Sequence, residues 1–297
     1  MAVPFLREDA PAHGEVEQTT PLVRRIVCGN PSAFTYRGTN TYIIGRGQVA
    51  VLDPGPVDEA HLAAMLRAVE GETVTHIVIS HTHRDHSPGA HALKAATGAT
   101  TYGFGKHMTP PEQGGEGGDH SFNPDVKVPD NGRIEGAGWA LVALHTPGHC
   151  GNHLCFELEG EAGFTGVVFT ADHVMSWSTS VVSPPDGDMT AYMRSLDRLR
   201  GREGKDELFL PGHGPPLPNP ARFVQKLWDH REERERRVQA ALVKAGQATA
   251  AELVGAVYGP LDPRLVGPAG RSLLSHLLKL EQEGVVARVA GEVFRVV

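Results

Sequence analysis

Apolar positions along this chain follow two different rhythms. Residues 22–28, 39–44 and 49–53 are short apolar runs separated by Gly-containing turns, the pattern of buried strands, and Pro54-Gly55-Pro56 closes the set. Leu62, Met65, Leu66 and Val69 then recur at helical spacing, and residues 76–80 read as a further buried strand. Ser87-Pro88 predicts a helix start, with the helix running through about Thr97. A second strand set follows at residues 139–145, 154–158, 164–170 and 207–210, interrupted by an amphipathic helix marked by Tyr192, Leu196 and Leu199. Asn219-Pro220 predicts one more helix, with Phe223, Val224 and Leu227 facing inward.

Near residue 230 the texture changes. Residues 231–237 are a mixed-charge run, the mark of a solvated helix face with i,i+4 pairs. Thr249-Ala250-Ala251-Glu252 has the form of a capping box, and Leu273, Leu274, Leu277, Leu278 and Leu280 mark a third helix. Residues 285–297 alternate as a hairpin turning near Gly291. Three helices and a two-stranded wing make a winged helix, so residues 1–229 and 230–297 are expected to form separate domains. Residues 1–20 are a polar lead-in, and residues 104–123 form a loop long enough to suggest a cover over a site; His107 and His120 on it are read as ordinary loop histidines.

Composition narrows the class. At 297 residues and 40% apolar the chain can bury a sizeable core, and no run approaches the roughly 20 apolar residues of a membrane span. Three cysteines are no disulfide framework, and no secretory signal is visible, so a cytoplasmic protein is expected. A net charge of −7 argues against coating nucleic acid by bulk electrostatics. The winged-helix segment has ten basic and eight acidic residues, so its local balance is only +2. The 16 histidines are an excess of the kind a metal enzyme shows.

Their placement is more telling than their number. His81-Thr82-His83-Arg84-Asp85-His86 leaves the end of a predicted strand with three imidazoles and a carboxylate. These are the donors zinc takes where a site must stay reactive. Four such groups at this spacing cannot serve one ion and leave a position open, so two ions sharing the cluster is the better geometry. Three later segments repeat the pattern of strand end, turn and ligand: Thr146-Pro147-Gly148-His149, Thr170-Ala171-Asp172-His173 and Pro211-Gly212-His213-Gly214. Five imidazoles and two carboxylates result, enough for two ions with a solvent molecule between them.

The order HxHxDH, TPGH, Asp and GHG resembles the signature of the metallo-β-lactamase superfamily. Gly38-Thr39-Asn40-Thr41-Tyr42, the Leu52-Asp53-Pro54-Gly55 turn and the C-terminal winged helix further resemble the β-lactamase-like protein 2 branch. The resemblance implies an α/β fold, an αββα four-layer sandwich followed by a small winged-helix domain. Carried over by position, His81, His83 and His149 would hold one ion, Asp85, His86 and His213 the other, and Asp172 would bridge them. Two Zn²⁺ are the expected cofactors, and iron or manganese would tolerate the same donors. Asp53 would fix a ligand imidazole, His145 and His153 would orient the ligand loop, and His173 would contact substrate or a ligand. Cys150, where the family usually has Thr, is read as a packing residue.

The implied chemistry is hydrolysis by a hydroxide held between two metals, with Asp85 as proton acceptor. The branch includes a single-strand-specific endoribonuclease, making single-stranded RNA the leading substrate; a glyoxalase-II-like thioester, another ester or a lactone is the small-molecule alternative. A nucleic-acid-binding module with a vestigial metal site is the non-enzymatic alternative. The winged helix itself is read as a packing or dimerisation platform, because fold alone does not confer DNA binding.

Overall fold

The computed structural model describes residues 3–7, 11–113 and 117–297. A first sheet of seven strands runs in chain order: β1 (Val16–Thr20), β2 (Val23–Val27), β3 (Asn40–Arg46), β4 (Gln48–Leu52), β5 (Thr73–Val78), β6 (Thr100–Gly103) and β7 (Val126–Lys127). The second sheet, of six strands, contains β8 (Arg133–Gly136), β9 (Trp139–His145), β10 (Leu154–Gly160), β11 (Gly163–Ala171), β12 (Leu208–Pro211) and β13 (Leu217–Pro218). The first four strands pair antiparallel and the next three parallel; in the second sheet only β11 and β12 run parallel.

Alternating side chains on each strand feed two cores, which is why the runs read as continuously apolar. Tyr42, Ile44, Ala50, Leu52 and Val78 face Leu141, Phe156, Leu158, Phe169 and Leu210 between the sheets. On the outer face of the first sheet, Ile43, Val49, Val51 and Ile77 pack against α1 (Glu59–Ala68) and α2 (Gly89–Thr97). On the outer face of the second, Val168 and Phe209 meet α3 (Met189–Arg200) and the start of α4 (Ala221–Ala245). Helix, sheet, sheet, helix is the four-layer sandwich.

The C-terminal unit has its own core. Val238 and Leu242 of α4, Leu253 and Val254 of α5 (Ala250–Tyr258) and Leu273, Leu277 and Leu280 of α6 (Pro263–Gln282) pack on Phe294. Thr249 caps α5 through the reciprocal bonds of a capping box. A three-stranded sheet of β14 (Gln247–Ala248), β15 (Val286–Ala290) and β16 (Val293–Val296) completes the winged helix, and β15 turns into β16 through Gly291 at positive φ. Helix α4 is continuous: Phe223, Val224 and Leu227 belong to the sandwich, Val238 and Leu242 to the winged helix. The boundary expected between residues 229 and 230 thus falls inside one helix.

One local expectation changes. Helix α2 opens at Gly89 with Pro88 as its cap, and Ser87 makes no capping bond. Its hydroxyl instead donates to the buried Asp119 carboxylate at 2.6 Å, tying the ligand loop to the long 104–123 loop. Among the described residues no helix is long and apolar enough to cross a membrane.

Candidate metal centre

Five strands of the two sheets deliver their C-terminal ends to one edge of the sandwich. Asp53 follows β4, residues 81–86 lie beyond β5, His149 follows β9, Asp172 follows β11 and His213 follows β12. A loop at a strand end can aim a side chain past the sheet only if the backbone turns at once. Asp53 and Ala171 do so at φ 50° and 42°, left-handed conformations that non-glycine residues rarely hold. Gly212 is required by space: a Cβ there would lie 2.6 Å from Asp172 Oδ1 and 2.8 Å from the His86 ring. Gly148, at φ 137°, has the Tyr192 backbone where a Cβ would go, at 2.3 Å.

Each imidazole at this edge has one nitrogen engaged away from the centre. Ser80 Oγ donates to Asp53 Oδ2 at 2.6 Å, so it accepts from His81 Nδ1 at 3.0 Å. His86 Nδ1 donates to the same Asp53 oxygen at 2.9 Å, and the Ser80 amide donates to Asp53 Oδ1. His149 Nδ1 donates to the Val181 carbonyl at 2.7 Å and His213 Nδ1 to the Gly38 carbonyl at 3.3 Å. His83 Nε2 donates to Asp186 Oδ2 at 2.8 Å. Carbonyls and carboxylates only accept, so these bonds fix the tautomers and leave the opposite nitrogens as bare lone pairs.

Those bare nitrogens converge. His83 Nδ1 and His149 Nε2 are 2.8 Å apart, and His86 Nε2 and His213 Nε2 are 3.3 Å apart. His81 Nε2 and Asp172 Oδ1 are buried with no hydrogen-bond partner. Opposed lone pairs at such distances need a cation between them, and this donor set suits a metal of borderline hardness. The fit to bound metal is therefore good. His81, His83 and His149 form one group able to hold an ion, and Asp85, His86 and His213 form another. A third combination, Asp53 with His81 and His86, is geometrically close, but Asp53 spends both oxygens on Ser80 and His86.

Electrostatics separates the two groups. Burial pushes His149 down to about 4, and burial reinforced by neighbouring imidazoles takes His81 well below the ordinary histidine value. Both are neutral donors. Burial also opposes charge on His86 and His213, but Asp85 and Asp172 outweigh it, and His213 rises to about 9; without a metal ion the carboxylates draw a proton onto these inward nitrogens, and a bound ion would take its place. Those two carboxylates remain ionised despite burial because the imidazoles of His86 and His213 face them.

The remaining sequence-derived residues lie around this centre. His153 Nδ1 meets Thr146 Oγ1 at 2.9 Å, and its Nε2 accepts from the Asp172 amide at 3.3 Å. His145 reaches the Gly151 carbonyl at 3.0 Å and stacks on Phe104, so it braces the loop from outside. His173 is fully buried against Tyr192, with neither ring nitrogen hydrogen-bonded. Cys150 is buried, its thiol donating to Asn152 Oδ1 at 3.3 Å, and burial raises its pKa well above the usual thiol range. The long loop does reach the ligand run: Gly117 accepts from the Arg84 amide, and the Asp119 amide donates to Thr82.

Asp186 was not singled out from the sequence. Burial works against its charge, yet the bond from His83 holds it below the usual carboxylate range. Its only sequence signal is its place in an aperiodic stretch between β11 and α3. Asp186, His83, Asp85, His149 and Asp172 line a cavity of about 570 Å³, together with Phe34, Met175, Val181, Pro184 and Pro185.

A four-layer sandwich with a cluster of His and Asp donors at one edge, opening into a cavity, defines a metallohydrolase architecture. Residues 35–213 match the metallo-beta-lactamase superfamily, and residues 249–293 match the beta-lactamase associated winged helix domain. The chain belongs to the metallo-beta-lactamase superfamily and is a hydrolase of that fold. It is 35% identical over 254 residues to an atrochrysone carboxyl ACP thioesterase from Passalora fulva, covering 82% of this chain and 70% of that one. It is 29% identical to the beta-lactamase-like protein 2 homolog of Drosophila melanogaster, over 95% of this chain and 96% of that one. A beta-lactamase domain protein from Burkholderia ambifaria shares the fold at a TM-score of 0.81 and 21% identity, covering 98% and 96% of the two chains.

Proposed function

We propose that the chain is a dinuclear metallohydrolase acting on thioesters. In this reading His81, His83 and His149 would hold one metal ion, Asp85, His86 and His213 would hold a second, and Asp172 would be shared between them. The observation that carries the reading is the way the Asp172 carboxylate faces two ways. Its Oδ2 lies 3.6 Å from His149 Nε2, while its Oδ1 lies 3.4 Å from both His86 Nε2 and His213 Nε2. Zinc is the first candidate for both positions, with iron or manganese compatible with the same nitrogen and oxygen donors.

When bound, such ions supply Lewis acidity, polarising a carbonyl and acidifying water toward neutral pH. The chain's own residues do the rest. Asp85, with Oδ2 3.2 Å from His213 Nε2, borders the cavity as a carboxylate and can take the proton of an attacking water. Val181, Asp53, Ser80 and Asp186 lock the imidazoles, so the donors need little rearrangement during turnover.

Two facts favour a thioester. Relatives at 35% and 29% identity are named as thioesterases, and the cavity wall is mostly apolar, as an acyl group would require. Cleavage of single-stranded RNA calls for a basic track along the backbone. The described lining carries Arg84 and Arg271 against the carboxylates of Asp85, Asp172 and Asp186. The test is a substrate panel on metal-reconstituted protein with elemental analysis alongside. Two ions per chain and turnover of an acyl thioester are expected. One ion per chain would remove the dinuclear assignment, and cleavage of single-stranded RNA with thioesters left intact would replace the substrate.

A further inference from the structure

Arg231 is a buried cation with no ion-pair partner among the described residues. It lies on the stretch of α4 that runs from the sandwich to the winged helix. Its Nη2 donates to the Ser180 carbonyl at 2.5 Å, and its guanidinium carbon is 5.0 Å from the centre of the buried Tyr192 ring. Taking a cation out of water is unfavourable unless its new contacts compensate, and a Leu or Met would fill this space without that cost. Packing alone therefore does not explain the residue.

The groups it touches are the backing of the metal centre. Ser180 precedes Val181, whose carbonyl accepts from His149 Nδ1 at 2.7 Å. Residues 179–183 lie in no helix or strand, so no ladder of hydrogen bonds fixes the Val181 carbonyl. Its neighbours do: Arg231 holds the Ser180 carbonyl, and the Val182 side chain is buried in the outer core. Tyr192 backs the same donor from the other side. Its backbone fills the space where a Cβ on Gly148 would go, and its hydroxyl donates to the His173 carbonyl at 3.1 Å. Gly148 precedes His149 and His173 follows Asp172, so Arg231 lies against the supports of two donors.

We propose that Arg231 is a positioning residue for His149. By holding the Ser180 carbonyl it keeps the next carbonyl turned toward His149 Nδ1, and that bond leaves Nε2 as the lone pair aimed into the donor cluster. The helix that leads into the winged helix thereby presets one donor of the sandwich from outside it. This rests on the reading of His149 as a metal ligand and adds what aims it. A guanidinium suits the task because it can donate to a carbonyl while its flat face lies on a ring.

The test follows the His149 Nδ1 proton of the full chain by NMR, with and without zinc, as the resonance lost in His149→Gln. Arg231→Met keeps the apolar stem and removes the donors. It should speed exchange of that proton about tenfold and weaken zinc binding at one position about tenfold in chelator competition. Arg231→Lys, whose ammonium can still donate to a carbonyl, should recover part of both, and Arg231→Gln replaces the Met variant if that one fails to fold. Glu235→Ala loosens the winged helix elsewhere and should move neither readout. Unchanged exchange and affinity in the Arg231 variants, or the same changes in Glu235→Ala, would overturn the assignment. If His149→Gln binds zinc as the wild type does, the ligand reading fails separately. Exchange in the metal-free protein then decides Arg231: an unchanged rate in Arg231→Met removes it.

Discussion

The winged helix and the sheet edge each hold a buried polar cluster that contains histidine, and only the second has the form of a site. In the winged helix, Glu235 accepts from His276 Nδ1 at 3.1 Å and from Lys279 Nζ at 2.6 Å, and Lys279 also reaches Glu283 at 2.9 Å. Cations and anions there are matched, and His276 joins no group of three donors among the described residues. At the sheet edge the outward N–H groups are matched instead, and the unpaired lone pairs point at one another. Burial of histidine is common to both. Convergence of uncommitted lone pairs belongs to one, and it is the better mark of a metal centre.

The sharpest way to test that contrast is Asp85→Asn, which keeps the shape of the side chain but removes its charge and basicity. Turnover should fall by about 10²–10⁴-fold with substrate affinity largely kept, as read from kcat and KM. A fall below tenfold would show that Asp85 is a bystander. Glu235→Ala strikes the other cluster and strands Lys279 and His276. It should lower unfolding free energy by about 3 kcal/mol in denaturant titration, with metal content and kcat unchanged. Loss of metal in that variant would mean the two clusters are coupled.

Smaller effects should follow from the supports of the ligands. Asp53→Asn leaves His86 and Ser80 with a poorer acceptor and should weaken metal binding about 10–100-fold in chelator competition. If affinity is unchanged, the bonds to Asp53 do not hold the site. The mildest prediction concerns His61, whose Nε2 donates to Thr41 Oγ1 at 2.8 Å and which burial pushes down to about 4. Its folded value lies below the unfolded one, so its neutral form supports the fold fully above pH 6.5, and that support fades as pH falls toward 4. Relative to His61→Gln, the wild type should lose about 1–2 kcal/mol between pH 6.5 and 5 in metal-free denaturation. Parallel pH profiles would exclude His61 as the cause.

Much of this was legible in the sequence because strands end where ligands begin. The run from His81 to His86 follows an apolar stretch, and the same syntax repeats at His149, Asp172 and His213. Thr249 and Gly291 were equally legible, since a capping box and a positive-φ turn are local events. Asp186 and Val181 were not, because they act through a loop without periodicity and their partners are more than 30 residues away. The continuity of α4 was also hidden. Its charged run looks like the surface of a linker, yet Arg231 within it is only 4% exposed and packs over the Tyr192 ring. Ser87 had the right chemistry for a helix cap, and the competing Asp119 lies 32 residues on.

Helix α4 also sets a phase. Each added residue would advance the far end by about 1.5 Å and rotate it by roughly 100°. Between Arg231, which faces the sandwich, and Val238, which faces the winged helix, the residue count therefore fixes the angle at which α6 meets the cavity. A single insertion there would leave both cores free to fold while swinging Arg271 out of the cavity wall. Seven inserted residues would nearly restore the angle but displace the wall by about 10 Å. At the solvent-facing positions of this segment substitution should thus be tolerated, while insertion or deletion is resisted, a length constraint written in a stretch that coordinates nothing.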